Sequence, residues 1–334
     1  MNFESLKLEK GMYTTSKGFT GTLEELDPSS DYVGTPYEGL DAYQRQLKRF
    51  DIKVSGANSD AVEKFFSTTD SAALFPEFVS RAVYQGLMEA DILPDIVASV
   101  TSIEGMDYRS ISSEPSEDDM ELKNVAEGAY IPQTVIRTNE NLIKLHKRGR
   151  MLVASYEAIR FQRLDVFTVT LRQIGAYIAR SQLRDAVDVL INGDGNDNEA
   201  DVIEAETDGT LTYDDLISLW NSFDPYNMNV MLCSGSAAAK ILAIPQFQNP
   251  LTGINFQGTG NLSTPLGASL MKTQAVTGDT IVALDRTCAL EKVQAGEVIT
   301  DFDKLIDRQL ERASITAIAG FAKIFAGASK VMTI

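Results

Sequence analysis

Few side chains in this sequence suit acid–base or nucleophilic chemistry. His146 is the one histidine, and Cys233 and Cys288 are the two cysteines. A Ser–His–Asp or Cys–His arrangement would have to recruit His146. That residue sits in the basic stretch Lys144 to Arg150, which reads as a solvated or ion-paired strand. Cys233 closes the apolar run Val230-Met231-Leu232-Cys233, a core position rather than a nucleophile's. One histidine also excludes His-rich metal sites. Asp194, Asn196, Asn198 and Asp201 resemble part of a calcium loop. However, Glu199 stands where such a loop needs glycine and Ala205 where it needs glutamate, so a solvated acidic turn is the simpler reading. Gly258-Thr259-Gly260 lacks the third glycine of a dinucleotide fingerprint, and no phosphate loop ending in Gly-Lys-Ser or Gly-Lys-Thr occurs. We assign no catalytic, cofactor-binding or metal-binding residue and expect a protein that is not an enzyme.

The charge balance narrows the partners. Lys and Arg number 30 and Asp and Glu 47 among 334 residues, a net charge of -17. Sequence-specific DNA binding leans on cationic side chains that displace counterions, so a chain this acidic is a poor DNA reader. Anionic membrane surfaces should repel it, and no apolar run approaches the about 18 residues of a bilayer span. Two thiols are too few for a disulfide framework and fit a reducing compartment. The opening Met1-Asn2-Phe3-Glu4-Ser5 has no basic-then-apolar leader pattern. Apolar residues at 44% and charged at 23% are ordinary for a folded chain, and the length suggests about two domains.

The elements that position these residues follow from periodicity. Residues 1 to 57 are punctuated by glycine and proline, with scattered apolar residues. They read as an extended arm without a core of its own, ordered by docking of Tyr13, Phe19, Tyr32, Tyr37 and Tyr43 on something else. Leu40, Tyr43, Leu47 and Phe50 predict one helical island within it. Ser59 is positioned to cap a short helix through Phe66. Pro76 opens another helix running to about Met88, with Val79, Val83 and Leu87 on one stripe. A strand through Val97 and Val100 follows. Residues 108 to 144 hold the acidic run Glu114, Glu117, Asp118, Asp119 and Glu121 and read as a long two-stranded projection. On the return strand Lys144, His146, Arg148 and Arg150 share one face, and Ile143, Leu145 and Met151 the other, buried, face. The basic face suits an acidic partner, either that run or a neighbouring copy. Leu164 to Ile191 predicts a helix roughly 40 Å long, closed by Asn192-Gly193-Asp194-Gly195, with Arg184 and Asp188 spaced as a surface pair. Residues 196 to 299 predict an α/β domain with helices at Tyr213 to Phe223 and Ser236 to Ile244, strands at Val230 to Cys233 and Thr280 to Leu284, and a long loop from Pro245 to Pro265. Ser314 to Phe325 returns as strand, and the apolar stretch from Ala313 to Ile334 reads as buried strand despite Lys323 and Lys330.

As an ordered set these segments resemble a known family. Val125-Ala126-Glu127-Gly128-Ala129-Tyr130-Ile131-Pro132 precedes the alternating strand to Val153, then Ser155-Tyr156-Glu157-Ala158. This is similar to the loop and helix entry of tailed-phage major capsid proteins with the Hong Kong 97-like fold. The helix end Asn192-Gly193-Asp194-Gly195 and the block Leu74-Phe75-Pro76-Glu77-Phe78 resemble the same family, and the likeness runs in order over roughly residues 70 to 334. It implies an α+β capsid fold: an N-terminal arm (1–57), a peripheral domain (58–107, 145–195 with the spine helix, and 300–334 as return strand), an extended loop (108–144) and an axial domain (196–299). It further implies a subunit that self-assembles into hexamers and pentamers of an icosahedral or prolate head around double-stranded DNA, which it binds without sequence specificity. Glu114, Glu117, Asp118, Asp119 and Glu121 would then meet Lys144, Arg148 or Arg150 within or between subunits, so that charge reversal at Arg148 and Arg150 impairs assembly more than folding.

The implied location is the virion capsid, assembled in the bacterial host cytoplasm. The implied partners are other copies, a portal, a decoration protein and a separate scaffolding protein, since no sizeable domain precedes the arm. Lys123 is the only lysine between Ser110 and Ile143 and no asparagine follows Asn261, so no isopeptide chainmail is expected. Two other readings remain: an encapsulin-like compartment shell, which the long arm disfavours, and a small cytoplasmic hydrolase using an acidic site.

Overall fold

The computed structural model describes residues 3–15, 17–112, 124–125, 127, 137–139, 141–155, 161–248, 266–296, 298–305 and 310–334. In chain order the helices are α1 (Gly18–Leu26), α2 (Ala42–Arg49), α3 (Thr69–Ala72), α4 (Phe75–Ala90), α5 (Leu164–Asn192), α6 (Tyr213–Asn221), α7 (Gly235–Ala243) and α8 (Pro245–Gln248). The strands are β1 (Ser99–Ile103), β2 (Ile111–Ser112), β3 (Arg137–Thr138), β4 (His146–Ser155), β5 (Asp201–Glu204), β6 (Val230–Cys233), β7 (Ser269–Lys272), β8 (Thr280–Leu284), β9 (Leu290–Ala295), β10 (Ile299–Leu305), β11 (Leu310–Lys323) and β12 (Ser329–Thr333). Two compact units result. One comprises Met1–Ala90, Gly149–Ala179 and Val298–Thr316, the other Asp91–Arg148, Arg180–Glu297 and Ala317–Ile334.

In the first unit, α4 buries Phe78, Val79, Ala82, Val83 and Leu87, the stripe its sequence predicts. Phe75 and Phe78 stack on Phe167 of α5, with ring centroids 6.1 Å and 6.5 Å apart. The two helices meet backbone to backbone. A Cβ added at Gly86 would lie 2.0 Å from the Arg172 carbonyl oxygen, and one at Gly175 would lie 2.0 Å from that of Val83. Only glycine permits this approach.

The N-terminal section corrects the expectation of an extended arm. Residues 3–52 carry α1, α2 and turns of tighter helix, and bury Phe3, Phe19, Leu23, Tyr32, Tyr43 and Leu47. Their anchor is Arg45, fully buried. Its Nε donates to Asp27 Oδ2 at 2.7 Å, and its other nitrogens donate to Ser29 Oγ and to the Leu40 and Asp27 carbonyls. The guanidinium also lies 4.2 Å from the Tyr32 ring centroid, and Tyr32 donates its hydroxyl to Asp27. Such a charge pair tolerates burial because its donors and acceptors are met. The aromatics dock as expected, but on their own unit: Tyr13 stacks on Phe19 at 4.4 Å and donates to the Ala73 carbonyl at 2.8 Å. Arg81 of α4 adds bonds to Asp41, Glu77 and Thr20.

Ser59 does not cap a helix. The tight helix Val62–Phe66 starts after Ala61, because Val62 N–H is taken by the Gln162 carbonyl and the Asp60 carbonyl accepts from Leu164. The strand pair β10–β11 completes the unit, antiparallel from Ile299↔Thr316 to Leu305↔Leu310.

The second unit is built on the sheet β5-β12-β8-β6-β7. Alternate residues face two cores. Val230, Leu232, Val282, Leu284 and Val331 pack with Leu183, Val187 and Leu190 of α5. Met231, Cys233, Ile281, Ala283 and Met332 pack with α6 and α7. Burial on both faces explains why β6 and β8 read as uninterrupted apolar runs, and their observed bounds equal those expected. β12 lies between β8 and β5, so residues 329–333 join this sheet rather than the return strand β11. The expected loop from Pro245 begins as the short helix α8, and 249–265 lie outside the described residues. A second ladder runs β1-β9-β11, and β2 pairs with β3 as a separate two-stranded sheet. No helix among the described residues is long and apolar enough to cross a membrane.

Gly86→Ala and Gly175→Ala should each destabilise the protein by about 1–3 kcal/mol by overpacking the helix crossing. Gly235→Ala, at a helix start with open space around it, should stay within about 0.5 kcal/mol. Urea unfolding of the three variants checks this ordering.

Candidate assembly surface

The basic strand and the end of α5 hold the described residues that sequence reasoning singled out. Arg148 grips Asp185 of α5 through two nitrogens, Nε to Oδ2 at 3.1 Å and a terminal nitrogen to Oδ1. His146 Nδ1 lies 3.4 Å from the same carboxylate. Arg150 stands 5.6 Å over the Tyr177 ring. Lys144 is exposed, and its carbonyl abuts Gly320, where a Cβ would lie 2.7 Å away. Gly149 is likewise required, since a Cβ would lie 2.6 Å from the Ile315 carbonyl oxygen of β11. The alternating pattern is only partly realised: Ile143 is buried, but Met151 is 55% exposed. Glu114, Glu117, Asp118, Asp119 and Glu121 lie outside the described residues. Asp185 was missed because the pairing is 37 residues distant in sequence, beyond any local spacing rule.

At the helix end, Gly193 takes φ +75 and Gly195 φ +93. A side chain at Gly193 would also strike Asn198 Oδ1 at 2.6 Å. Asp194 accepts from Asn196 Nδ2 at 2.8 Å and from the Lys323 N–H at 3.0 Å, so its carboxylate is used to shape the turn. Asn141 donates its N–H to Asn196 Oδ1 at 3.0 Å and its amide to the Gly195 carbonyl at 2.6 Å, tying the segment that leads into β4 to this turn. Asn192 donates to Asp188. Among the described residues no group of three or more His, Cys, Asp or Glu is placed to hold a metal ion.

Lys323 is the residue sequence reasoning passed over, having taken it as a break in an apolar run. It is almost fully buried. Its ammonium donates to the Asn198 carbonyl at 2.8 Å and faces that of Leu190, near the C-terminus of α5, at 3.4 Å. A cation there meets the negative end of the helix dipole. Burial lowers its pKa to about 8, against the opposing pull of Asp201, Asp194 and Glu199. The thiols offer no activated nucleophile: burial pushes Cys233 up to about 11 and raises Cys288 as well.

Comparison with known proteins agrees with this geometry. The sequence profile of a family described as phage capsid protein matches residues 139–322. The match takes in β4, α5, its closing turn and most of the second unit, more than half of the chain, and the chain belongs to that family. The family is one of structural shell proteins, not enzymes. No curated protein sequence matches. Among solved structures, the capsid of a native GTA particle aligns at 14% identity and TM-score 0.54, covering 72% of this chain and 88% of that one. The capsid of the cyanophage P-SCSP1u aligns at 12% identity and TM-score 0.54, covering 73% and 88%. A virus-like particle from Pyrococcus furiosus aligns at 12% identity and TM-score 0.52, covering 77% and 98%. The fold is the Hong Kong 97-like capsid fold, and the chain is a capsid shell protein.

The buried Lys323 makes stability depend on pH. Its folded pKa lies below the unfolded value of 10.5, so its protonated form is disfavoured by folding. That penalty is complete below about pH 8 and fades as pH rises toward 10.5. Between pH 7.5 and 9.5 the wild type should gain about 2 kcal/mol relative to Lys323→Met. Parallel urea titrations at the two pH values measure it, and an unchanged difference would mean the amine is not desolvated.

Proposed function

We propose that this chain is the major capsid subunit of a tailed phage. Copies assemble into hexamers and pentamers of a closed head that encloses double-stranded DNA, in the cytoplasm of a bacterial host. The observation that carries this reading is the family match over β4, α5 and most of the second unit. The N-terminal section, folded on its own unit, lends it no support. A scaffolding protein, a portal and a decoration protein complete the proposed set of partners.

Exposed apolar side chains support contact with further copies. In the first unit Val166, Val169 and Tyr177 of α5 are all about half exposed, and Phe161 is 76% exposed. Large side chains of this kind are what shell interfaces cover. In this reading residues 108–144 are the extended loop and 196–299 the axial domain. The acidic run from Glu114 to Glu121 then lies against Lys144 and Arg150 of the same or an adjoining copy. Arg148 is a poorer probe of that contact, because reversing its charge would set two carboxylates against each other at Asp185.

Negative-stain images of the expressed protein, with and without a candidate scaffold, should show fivefold and sixfold clusters on closed particles. Lys144→Glu combined with Arg150→Glu should leave the unfolding midpoint nearly unchanged and cut particle yield by roughly tenfold, the effect of about 1.4 kcal/mol. Added Lys at Glu117, Asp118 and Asp119 should restore the yield. Normal particles from the double variant would remove the proposed charge contact.

A further inference from the structure

The described ends of segment 108–144 meet in a short ladder. Tyr108 and Ser110 accept from the N–H groups of Ile143 and Asn139 through their carbonyls, both at 2.9 Å. Beyond them Ile111 pairs with Thr138 and Ser112 with Arg137. Beside this root lies Glu291 of β9, only 6% exposed. Its Oε1 accepts from the Tyr108 hydroxyl at 2.8 Å and from Thr101 Oγ1 of β1 at 2.5 Å. Its Oε2 accepts from Ser110 Oγ, itself fully buried, at 2.7 Å. Among the described residues these partners are hydroxyls, with no cation. Two of the three, Tyr108 and Ser110, come from the residues just before β2.

We propose that Glu291 is the latch that holds residues 108–110 in place at the root of segment 108–144. A buried carboxylate must keep its donors, since each one lost leaves a charged oxygen under-solvated. Residues 108–110 therefore cannot tilt on the ladder while Glu291 stays buried without leaving its carboxylate short of donors, and hydrogen bonds to a carboxylate are the strong kind. The returning segment is tied separately, through Asn141 to Gly195 and Asn196. With both ties closed the root is clamped on two sides. With Glu291 removed, the Asn141 tie remains as a pivot. The value of a fixed root to an assembling copy rests on the function proposed above; the latch itself belongs to the free chain.

The test uses the full-length free chain, before any assembly, and reads amide hydrogen exchange. The amides of Asn139 and Ile143 report the root, and those of Met231 and Leu232 in β6, paired on both sides, report the unit as a whole. Glu291→Ala, and separately Tyr108→Phe with Ser110→Ala, should speed exchange at the root by roughly tenfold or more while leaving β6 within about twofold. Glu291→Gln keeps an acceptor for Tyr108 and Thr101 and a donor toward Ser110, so its effect should be smaller. Should Glu291→Ala fail to fold, the double variant, which keeps the carboxylate, decides. Unchanged exchange at the root, or root and β6 rising together, would overturn the latch. Either result is independent of whether the chain builds shells.

Discussion

The first half of α5 can meet α4 only where both helices carry glycine. At Gly86 and Gly175 the backbones approach so closely that one methyl group would collide with a carbonyl oxygen. That contact sets the depth at which α5 lies, and with it the stack of Phe75, Phe78 and Phe167. Several long-range contacts are then distributed along the same 29-residue helix. Tyr177 receives Arg150, Asp185 receives Arg148 and His146, and the closing turn receives Asn141 and Lys323.

Charge is handled locally in a chain that is strongly acidic overall. Two cations of the basic strand are engaged, Arg148 by Asp185 and Arg150 by an aromatic face. Two further cations, Arg45 and Lys323, are withdrawn from solvent altogether, each where backbone carbonyls converge. Burying a charge costs several kcal/mol unless its partners are complete. These sites therefore specify single arrangements more than they add stability. Glu291 is the buried carboxylate counterpart, held among the described residues by three hydroxyls.

Periodic patterns made much of this fold legible before any coordinates. The stripe Val79, Val83, Leu87 identifies α4, and the apolar runs at Val230 and Thr280 identify β6 and β8, because a stripe reports one buried face and an uninterrupted run reports two. Asn192-Gly193-Asp194-Gly195 was legible as a helix end, since glycine there is a backbone requirement. The N-terminal section was not legible. Its short helices and tight turns hold together through Arg45, Asp27 and a few aromatics, a set with no repeating spacing, and its glycines and prolines suggested an extended path. Lys323 and Asp185 were missed for a related reason: their partners are distant in sequence, and a lysine within an apolar strand resembles an interruption. The acidic run from Glu114 to Glu121 lies outside the described residues, so its expected contact stands as part of the proposed function.

Membership of the phage capsid protein family makes one physical demand above all, that the folded chain find its stable form in a large closed assembly of itself. Sedimentation velocity on the protein expressed alone and together with a candidate scaffold tests it most directly. The account predicts a discrete population of many-megadalton particles in exchange with, or formed from, folded single subunits. A single small oligomer at every concentration, unchanged by scaffold, would contradict it.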